Sequence, residues 1–199
     1  MKHVEPAINE IKSTFFEVTT AMAFYHFNNN DVDVAIIETG LGGRLDSTNV
    51  VNPSLTVMTP ISLDHRDILG STIEKIAKEK AGIIKRGVPL ITANQVNNVS
   101  KILEKRIREK ESLMHTCPNP KSVKLSSDGT SFEVYGNNFN TSLIGKHQAQ
   151  NAALAIATIK LFNPKISYET ISKGLRNVHW PGRLQLVSDK VYYDVAHNE

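Results

Sequence analysis

The sequence has little cysteine, no long apolar run and little net charge. Cys117 is the only cysteine among 199 residues, so the chain cannot form an internal disulfide, and a reducing compartment is expected. No stretch approaches the roughly 18 consecutive apolar residues that a membrane-spanning helix needs. The 23 basic and 20 acidic residues leave a net charge of +3, which argues against a basic nucleic-acid-binding arm and an acidic disordered tail. We therefore expect a cytoplasmic protein with no nucleic-acid partner and no membrane partner.

Two sequence motifs are also missing. Residues 1–12 lack the apolar core of a signal peptide. No segment fits the phosphate-binding pattern G-x-x-x-x-G-K-[ST], because Gly145-Lys146 is followed by His147 and lacks the upstream glycine. The hydrophobic fraction of 40% is nevertheless typical of a globular protein, and the length allows one domain, or one domain with part of another.

Short apolar runs separated by amphipathic segments indicate an α/β fold, with a mostly parallel sheet that has helices on both faces. Polar–apolar alternation over residues 122–144 predicts an additional small antiparallel β unit. Strands of the main sheet are expected at residues 32–39, 55–61 and 89–93, with a further strand at 190–195. Helices are expected at residues 8–25, 72–81, 99–111 and 147–161, with one more after the capping residue Ser167.

The first candidate site residues follow two of the predicted strands. Glu38 lies at the carboxyl end of a strand and precedes a turn, residues 40–44, whose glycines let the backbone approach an anion. His65 follows the next strand, which places it at the same edge of the sheet. A carboxylate and an imidazole there are compatible with Mg²⁺ or Mn²⁺. The alternatives are a solvated glutamate at a turn and an ordinary loop histidine.

Lys80 is the third candidate. It lies seven residues after Ile73, about 20° from it around the helix, and therefore falls on the apolar stripe of that helix. Burial of an ammonium group is costly unless the group is paired or chemically changed. The alternative is a lysine at a helix C-terminus whose amine reaches solvent.

Two further groups of polar residues lie toward the end of the chain. His147 and Asn151 are four residues apart and share one face of a helix. Arg183 follows a Pro-Gly turn and has the chemistry to bind a phosphate or carboxylate, and Asp194 follows the last predicted strand. The alternatives are the ordinary polarity of a helix start, a turn and a strand end.

Taken together, these motifs resemble one enzyme family. The string of residues 38–49, ETGLGGRLDSTN, closely resembles a signature of the bifunctional dihydrofolate synthase/folylpolyglutamate synthases of the Mur ligase superfamily. Further matching motifs follow in the family's order, at residues 63–65, 79–85, 147–151, 181–183 and 194–198. The resemblance covers essentially the whole chain, and it implies a Mur-ligase-type central ATPase domain.

The resemblance implies ATP-dependent formation of an amide bond. ATP would phosphorylate a carboxylate of dihydropteroate or a tetrahydrofolate, and the amine of L-glutamate would attack the resulting acyl phosphate. Glu38 and His65 would bind Mg²⁺ or Mn²⁺ as metal ligands, and His65 would also lie among the catalytic residues. Lys80 would be a catalytic lysine that is carbamylated by CO₂, which accounts for its place on an apolar stripe.

The resemblance also assigns binding residues. Asn151, Arg183 and Asp194 match nucleotide-binding positions, and His197 matches a residue near the glutamate site. The wall on the pterin side would comprise Thr14, Phe15, Phe16, Glu17, Arg44, Leu45 and Asp46. Phe16 lies off the apolar stripe of its helix, so it is placed to stack on a flat pterin ring, with a core or partly exposed helix position as the alternative.

The chain departs from the family at both ends. The family's glycine-rich phosphate loop lies before Met1, and most of its C-terminal domain lies after Glu199. We therefore expect residues 1–180 to form a central domain without its first βα unit, and residues 181–199 to begin the next domain. We expect the chain to be inactive alone and the full-length protein to be a monomer. A Mur ligase acting on a cell-wall precursor and a non-catalytic nucleotide- or metal-binding fragment are the alternative functions.

Overall fold

A computed structural model describes residues 5–195, apart from the side chain of Asn9. The helices are α1 (Glu5–Ile11), α2 (Phe15–Asn29), α3 (Arg66–Leu69), α4 (Ile73–Lys80), α5 (Asn97–Glu109), α6 (Lys146–Phe162) and α7 (Tyr168–Arg176). The strands are β1 (Thr56–Met58), β2 (Leu90–Thr92), β3 (Met114–Thr116), β4 (Lys121–Ser126), β5 (Gly129–Val134), β6 (Asn137–Thr141), β7 (Gln185–Ser188) and β8 (Val191–Tyr193). Short 3₁₀ helices cover Ser47–Val50 and Ala81–Ile83.

The central layer is a parallel sheet in the order β1-β2-β3. Successive side chains of a strand point to opposite faces, and β2 shows this directly. Leu90 packs into a core with Ile76 of α4 and Leu103 of α5, whereas Ile91 packs into a second core with Ala153 of α6. The predicted α/β class, with helices on both faces of a parallel sheet, is therefore confirmed.

The prediction of a strand over residues 32–39 is wrong. Those residues have no regular secondary structure, and Ile36 is 93% exposed. Within residues 5–195, no neighbouring strand completes a hydrogen-bond ladder with this apolar run. The third strand of the sheet is instead β3, which is too short and too polar to produce an apolar run in the sequence.

The helix predicted over residues 8–25 is divided into α1 and α2. Lys12 adopts a positive φ of 56°, and Thr14 caps the start of α2. The Thr14 side chain accepts from the Glu17 backbone N–H, and the Glu17 carboxylate accepts from the Thr14 backbone N–H. This capping box starts a new helix inside the apolar repeat, and Phe15 on that repeat is 84% exposed.

The predicted antiparallel unit is present as a sheet in the order β4-β5-β6. The stacked rings of Phe132 and Phe139, 5.9 Å apart, are buried in the same core as α6. Cys117 is also buried there, and burial raises the pKa of its thiol to about 11. Ser167 caps α7 by accepting from the Thr170 backbone N–H at 3.1 Å, as expected.

The last described residues form a hairpin. β8 covers part of the strand expected at 190–195, and it pairs with β7, which was not predicted. Leu186, Val187, Val191, Tyr192 and Tyr193 are each close to half exposed or more, so both faces of the hairpin present apolar side chains. Across residues 5–195, no helix is both long and apolar enough to span a bilayer.

Candidate functional site

The carboxylate of Asp46 organises the glycine loop, which we define as residues 40–49. Its Oδ2 accepts from the backbone N–H of Leu41 at 2.8 Å, and its Oδ1 accepts from the backbone N–H of Thr48 at 2.9 Å. The Thr48 hydroxyl donates to the same Oδ1. Burial by itself raises the pKa of Asp46, but these hydrogen bonds outweigh burial and leave the pKa below its usual value. The carboxylate is therefore charged and committed to the loop.

The glycine loop packs closely against the end of α4. The Arg44 backbone N–H donates to the Glu79 carbonyl at 2.9 Å. A Cβ at Gly43 would lie 2.9 Å from the Glu79 carbonyl oxygen, and a Cβ at Gly82 would lie 2.4 Å from the Arg44 Cα. Only glycine allows the two backbones to come so near each other. Lys80 lies in this contact and is half-buried.

The glycine loop also contacts α3, which begins directly after His65. A Cβ at Gly42 would lie 2.9 Å from Cδ2 of Leu69. His65 has a positive φ of 50°, and its Nε2 lies 3.7 Å from Oδ2 of Asp64. Three segments that the sequence singled out therefore meet at one place: the loop after Glu38, the helix after His65 and the helix that ends at Lys80.

A carboxylate and an imidazole, the donors that Glu38 and His65 offer, are side chains that can bind a magnesium ion. Glu38 and His65 are both exposed, and no group of three or more metal-binding side chains occurs in the described part of the chain. Mg²⁺ usually takes one or two carboxylates and completes its six ligands with water and substrate phosphates. Glu38 would hold such an ion through a carboxylate oxygen and His65 through an imidazole nitrogen.

The predicted pterin-side residues have different environments. The tip of the Phe16 ring rests on the glycine loop, since a Cβ at Gly40 would lie 2.4 Å from Cζ of Phe16. Thr14 and Glu17 form the capping box of α2. The Glu17 carboxylate accepts hydrogen bonds from the Thr14 backbone N–H and from the Thr14 hydroxyl, and both lower the pKa of Glu17, the backbone N–H more strongly. Leu45 is 79% exposed.

The second candidate site is an open pocket of about 400 Å³ at the start of α6. Its lining comprises Leu143, His147, Gln148, Asn151, Trp180 and Arg183. Tertiary structure thus brings together Asn151 and Arg183, which are 32 positions apart and were both predicted to bind nucleotide. Trp180 was not among the predicted site residues, although its place directly before the Pro-Gly-Arg turn could have indicated a site residue.

The start of α6 is fixed by the antiparallel sheet below it. The buried Thr130 hydroxyl donates to the Leu143 carbonyl at 2.8 Å and accepts from the Gly145 backbone N–H at 3.0 Å. Gln148 is buried, and its Oε1 accepts from Nδ2 of Asn151 at 3.3 Å. The amide of Asn151 is therefore oriented by a neighbour that the core holds in place.

The segment that carries Arg183 is fixed by Asp194. Oδ2 of Asp194 accepts from the Leu184 backbone N–H at 2.9 Å, and the Val195 backbone N–H donates to the Gly182 carbonyl at 2.9 Å. Asp194 thus lies at the base of the β7–β8 hairpin, close in the fold to the turn that holds Arg183. His197, predicted near the glutamate site, lies outside the described residues.

Comparisons with known proteins find chains of similar sequence and fold. The chain is 44% identical over 205 aligned residues to the dihydrofolate synthase/folylpolyglutamate synthase of Bacillus subtilis, which covers 94% of this chain and 47% of the relative. A Mycobacterium tuberculosis folylpolyglutamate synthase structure complexed with ADP and AMPPCP superimposes with a TM-score of 0.90 at 34% identity, over 99% of this chain and 50% of that one. A structure described as an FPGS–AMPPCP–folate complex gives 0.89 at 35% identity, over 98% and 52%.

The chain spans about half the length of the curated relatives it matches. A family profile described as the Mur ligase middle domain matches residues 3–159, which include the glycine loop, the parallel sheet and the start of α6. This match covers most of the chain, and the fold and the order of the motifs agree with it. The chain therefore belongs to the Mur ligase middle domain family.

Proposed function

We propose that this protein is an ATP-dependent ligase that adds L-glutamate to dihydropteroate, to a tetrahydrofolate, or to both, through an acyl phosphate. The observation that carries the proposal is the match of nearly the whole chain to enzymes named dihydrofolate synthase/folylpolyglutamate synthase, at up to 44% identity. The proposed location is the cytoplasm, because Cys117 is a buried free thiol and ATP, folates and glutamate are available there.

The pocket at the start of α6 is the proposed nucleotide site. Its amide side chains, Gln148 and Asn151, supply both donors and acceptors for a purine edge, and Arg183 supplies a cation for phosphate. Related structures are described with AMPPCP bound, which supports a nucleotide as the ligand of this protein. Asp194 serves by holding the hairpin beside Arg183, since its Oδ2 accepts from Leu184.

The meeting point of the glycine loop, α3 and α4 is the proposed reaction centre. Glu38 and His65 would hold Mg²⁺, which when bound supplies positive charge to phosphate oxygens. Lys80 is proposed to act as a carbamate. The half-buried amine then carries an anionic group that can lie near the metal held by Glu38 and His65. Phe16, Arg44, Leu45 and Asp46 lie on or beside the glycine loop, and Phe16 offers a flat surface to a pterin.

The domain arrangement is part of the proposal. Residues 1–180 would form the central domain, and residues 181–199 would begin a second domain. The support is the β7–β8 hairpin, whose apolar side chains are exposed on both faces, as expected of a segment that packs on further structure. The glutamate site would then lie between the two domains, with His197 beside it.

Two assays test the proposal in sequence. Calorimetric titration of this chain with AMPPCP and Mg²⁺ should give binding that Arg183→Ala and Asn151→Ala each weaken by about 10-fold or more, since a hydrogen bond to a charged group contributes about 1.5–3 kcal/mol. Release of ADP by the protein at its natural length should then require glutamate together with dihydropteroate or tetrahydrofolate. Turnover with a cell-wall precursor alone would identify a Mur ligase of the other class.

Nucleotide binding without glutamate-dependent turnover at natural length would favour the non-catalytic alternative. Absence of both nucleotide binding and turnover would contradict the nucleotide site itself.

Removal of the metal is a separate test. Chelation with EDTA should abolish turnover and restoration of Mg²⁺ should recover it, because without the ion the side chains of Glu38 and His65 cannot neutralise the charge of a triphosphate. Activity that persists in EDTA would exclude the metal role of Glu38 and His65.

A further inference from the structure

The side chains of Arg44 and Glu79 form an ion pair across the contact between the glycine loop and α4. The Arg44 Nε donates to both carboxylate oxygens of Glu79, at 3.1 and 3.2 Å, and its Nη2 lies 3.1 Å from Oε1. This forked arrangement fixes the relative orientation of the two groups as well as their distance. Arg44 is thus paired with a carboxylate of the protein itself, although the family resemblance implied a substrate-binding role for it.

The same two residues are joined through their backbones. The Arg44 N–H donates to the Glu79 carbonyl at 2.9 Å, which satisfies one of the carbonyl groups that the last turn of a helix leaves free. The carbonyls of Glu79 and Lys80 both lie near 3 Å from where a Cβ of Gly43 would be. The glycine loop therefore caps the turn of α4 that contains Lys80.

Asn49 and Lys85 extend this connection beyond the end of α4. The Asn49 Nδ2 donates to the Arg44 carbonyl at 3.0 Å and to the Gly82 carbonyl at 3.3 Å. The Lys85 ammonium donates to the Asn49 carbonyl at 2.6 Å. The loop and the segment 79–85 are thus held at several points on both sides of Lys80, and the Arg44–Glu79 contact is the ion pair among them.

We propose that the Arg44–Glu79 ion pair is a positioning device that fixes the end of α4, and with it Lys80, against the glycine loop. The proposal rests on the proposed function, because it deepens the role given there to Lys80. Neither residue of the pair need touch substrate. A shift of about 1 Å in a reacting group can cost about 100-fold in rate, so loss of the pair is expected to act on turnover more than on binding.

The test is a double-mutant cycle on the protein at its natural length. Arg44→Gln and Glu79→Gln should each lower kcat by about 10-fold, with the KM values for ATP and the folate substrate changed less than 2-fold, within the range that misplacement allows. The double variant should be no worse than either single one, because each change removes the same interaction. Arg44→Lys should retain part of the activity, since lysine keeps the positive charge but lacks the planar guanidinium that bonds both carboxylate oxygens.

The matched control is the Arg86–Glu111 pair, a bidentate ion pair of the same chemistry at the surface. Arg86→Gln and Glu111→Gln should leave kcat unchanged. A large rise in the KM for the folate substrate in Arg44→Gln, with Glu79→Gln silent, would overturn the proposal and make Arg44 a substrate ligand. A double variant whose loss of kcat equals the product of the two single-variant losses would also overturn the proposal, because the two residues would then act independently.

Amide hydrogen exchange separates this proposal from the proposed function. The backbone N–H of residue 44, bonded to the backbone carbonyl of residue 79, should exchange faster in both single variants than in the unaltered protein, and to the same extent in each. Unchanged exchange in both variants would overturn the positioning role whatever the activity. Protein that lacks glutamate-dependent turnover but shows the exchange effect would refute the proposed function while supporting the coupling of the two segments.

Discussion

The carboxylate of Asp46 accepts a hydrogen bond from the backbone N–H of Leu41, five residues earlier, at 2.8 Å. This contact closes the glycine loop on itself. The remaining oxygen accepts from the backbone and the hydroxyl of Thr48. Asp46 therefore gives the loop its shape, and its role in the protein is structural whether or not it also contacts a substrate.

Asp46→Asn is expected to destabilise the chain by about 1–3 kcal/mol at pH 7, because an amide can accept on one side only and leaves one donor without a partner. The folded-state pKa of Asp46 lies below its ordinary value of 3.8, so the contribution is complete above that pH and is lost as pH falls through the folded pKa. Urea unfolding of both proteins should show a stability difference at pH 7 that narrows below about pH 4. A difference that stays constant down to pH 2 would contradict the charged interaction.

Gly82→Ala tests the close approach of the two backbones. The new Cβ would lie 2.4 Å from Cα of Arg44, and backbone atoms cannot move aside as a side chain can. We expect a loss of about 1–3 kcal/mol in the free energy of unfolding. Gly174→Ala in α7 is the control, since a Cβ added there would meet no other described part of the chain within 4 Å, and the change should stabilise the chain by up to about 1 kcal/mol. Equal effects at the two sites would refute the close contact.

Thr56→Val is expected to be neutral or stabilising. The Thr56 hydroxyl is buried on β1 and has no hydrogen-bond partner within residues 5–195, so replacing it by a methyl group removes a desolvated polar atom. Thr130→Val is the matched change at a hydroxyl that has partners on both sides, and it should cost about 1–3 kcal/mol. Thermal melting of the two variants gives the comparison, and a destabilised Thr56→Val would indicate a partner for that hydroxyl.

Lys80→Ala is expected to remove most glutamate-dependent turnover of the protein at its natural length. If Lys80 acts as a carbamate, added short carboxylates should restore part of the activity, because they supply the missing anion. Lys78→Ala, an exposed lysine on the same helix, is the control and should leave turnover unchanged. Near-normal activity in Lys80→Ala would remove Lys80 from the mechanism.

Much of the fold was predictable from local patterns, because its helices and the antiparallel unit carry their own signals. The Ser167 cap and the alternation from residue 122 to 144 both correspond to observed elements. Thr72 caps α4, so that helix begins one residue later than the predicted range 72–81, a shift that the local pattern cannot resolve. The strand predicted at 32–39 failed because an apolar run becomes a strand only when a neighbour pairs with it, and β3 was missed because its signal is too short.

The candidate site was predicted as separate motifs, and their contacts were not. Glu38, His65 and Lys80 were each notable for their positions relative to predicted strands and helices. That the glycine loop touches both α3 and α4 follows from Gly42, Gly43 and Gly82, whose close approaches involve residues far apart in the sequence. The pairing of Arg44 with Glu79, 35 positions away, had no local signal of its own.

The sequence by itself determined the fold class, the family and the residues with chemistry to offer, because these depend on local periodicity, capping and ordered motifs. Only the tertiary structure decided which of those residues meet. It showed that Arg44 and Asp46 hold the glycine loop in place, and that Asn151 and Arg183 line one pocket with Trp180. The physical reason is that such contacts are set by how the loop, helices and sheets pack, and packing joins residues whose separation along the chain carries no information about their distance in space.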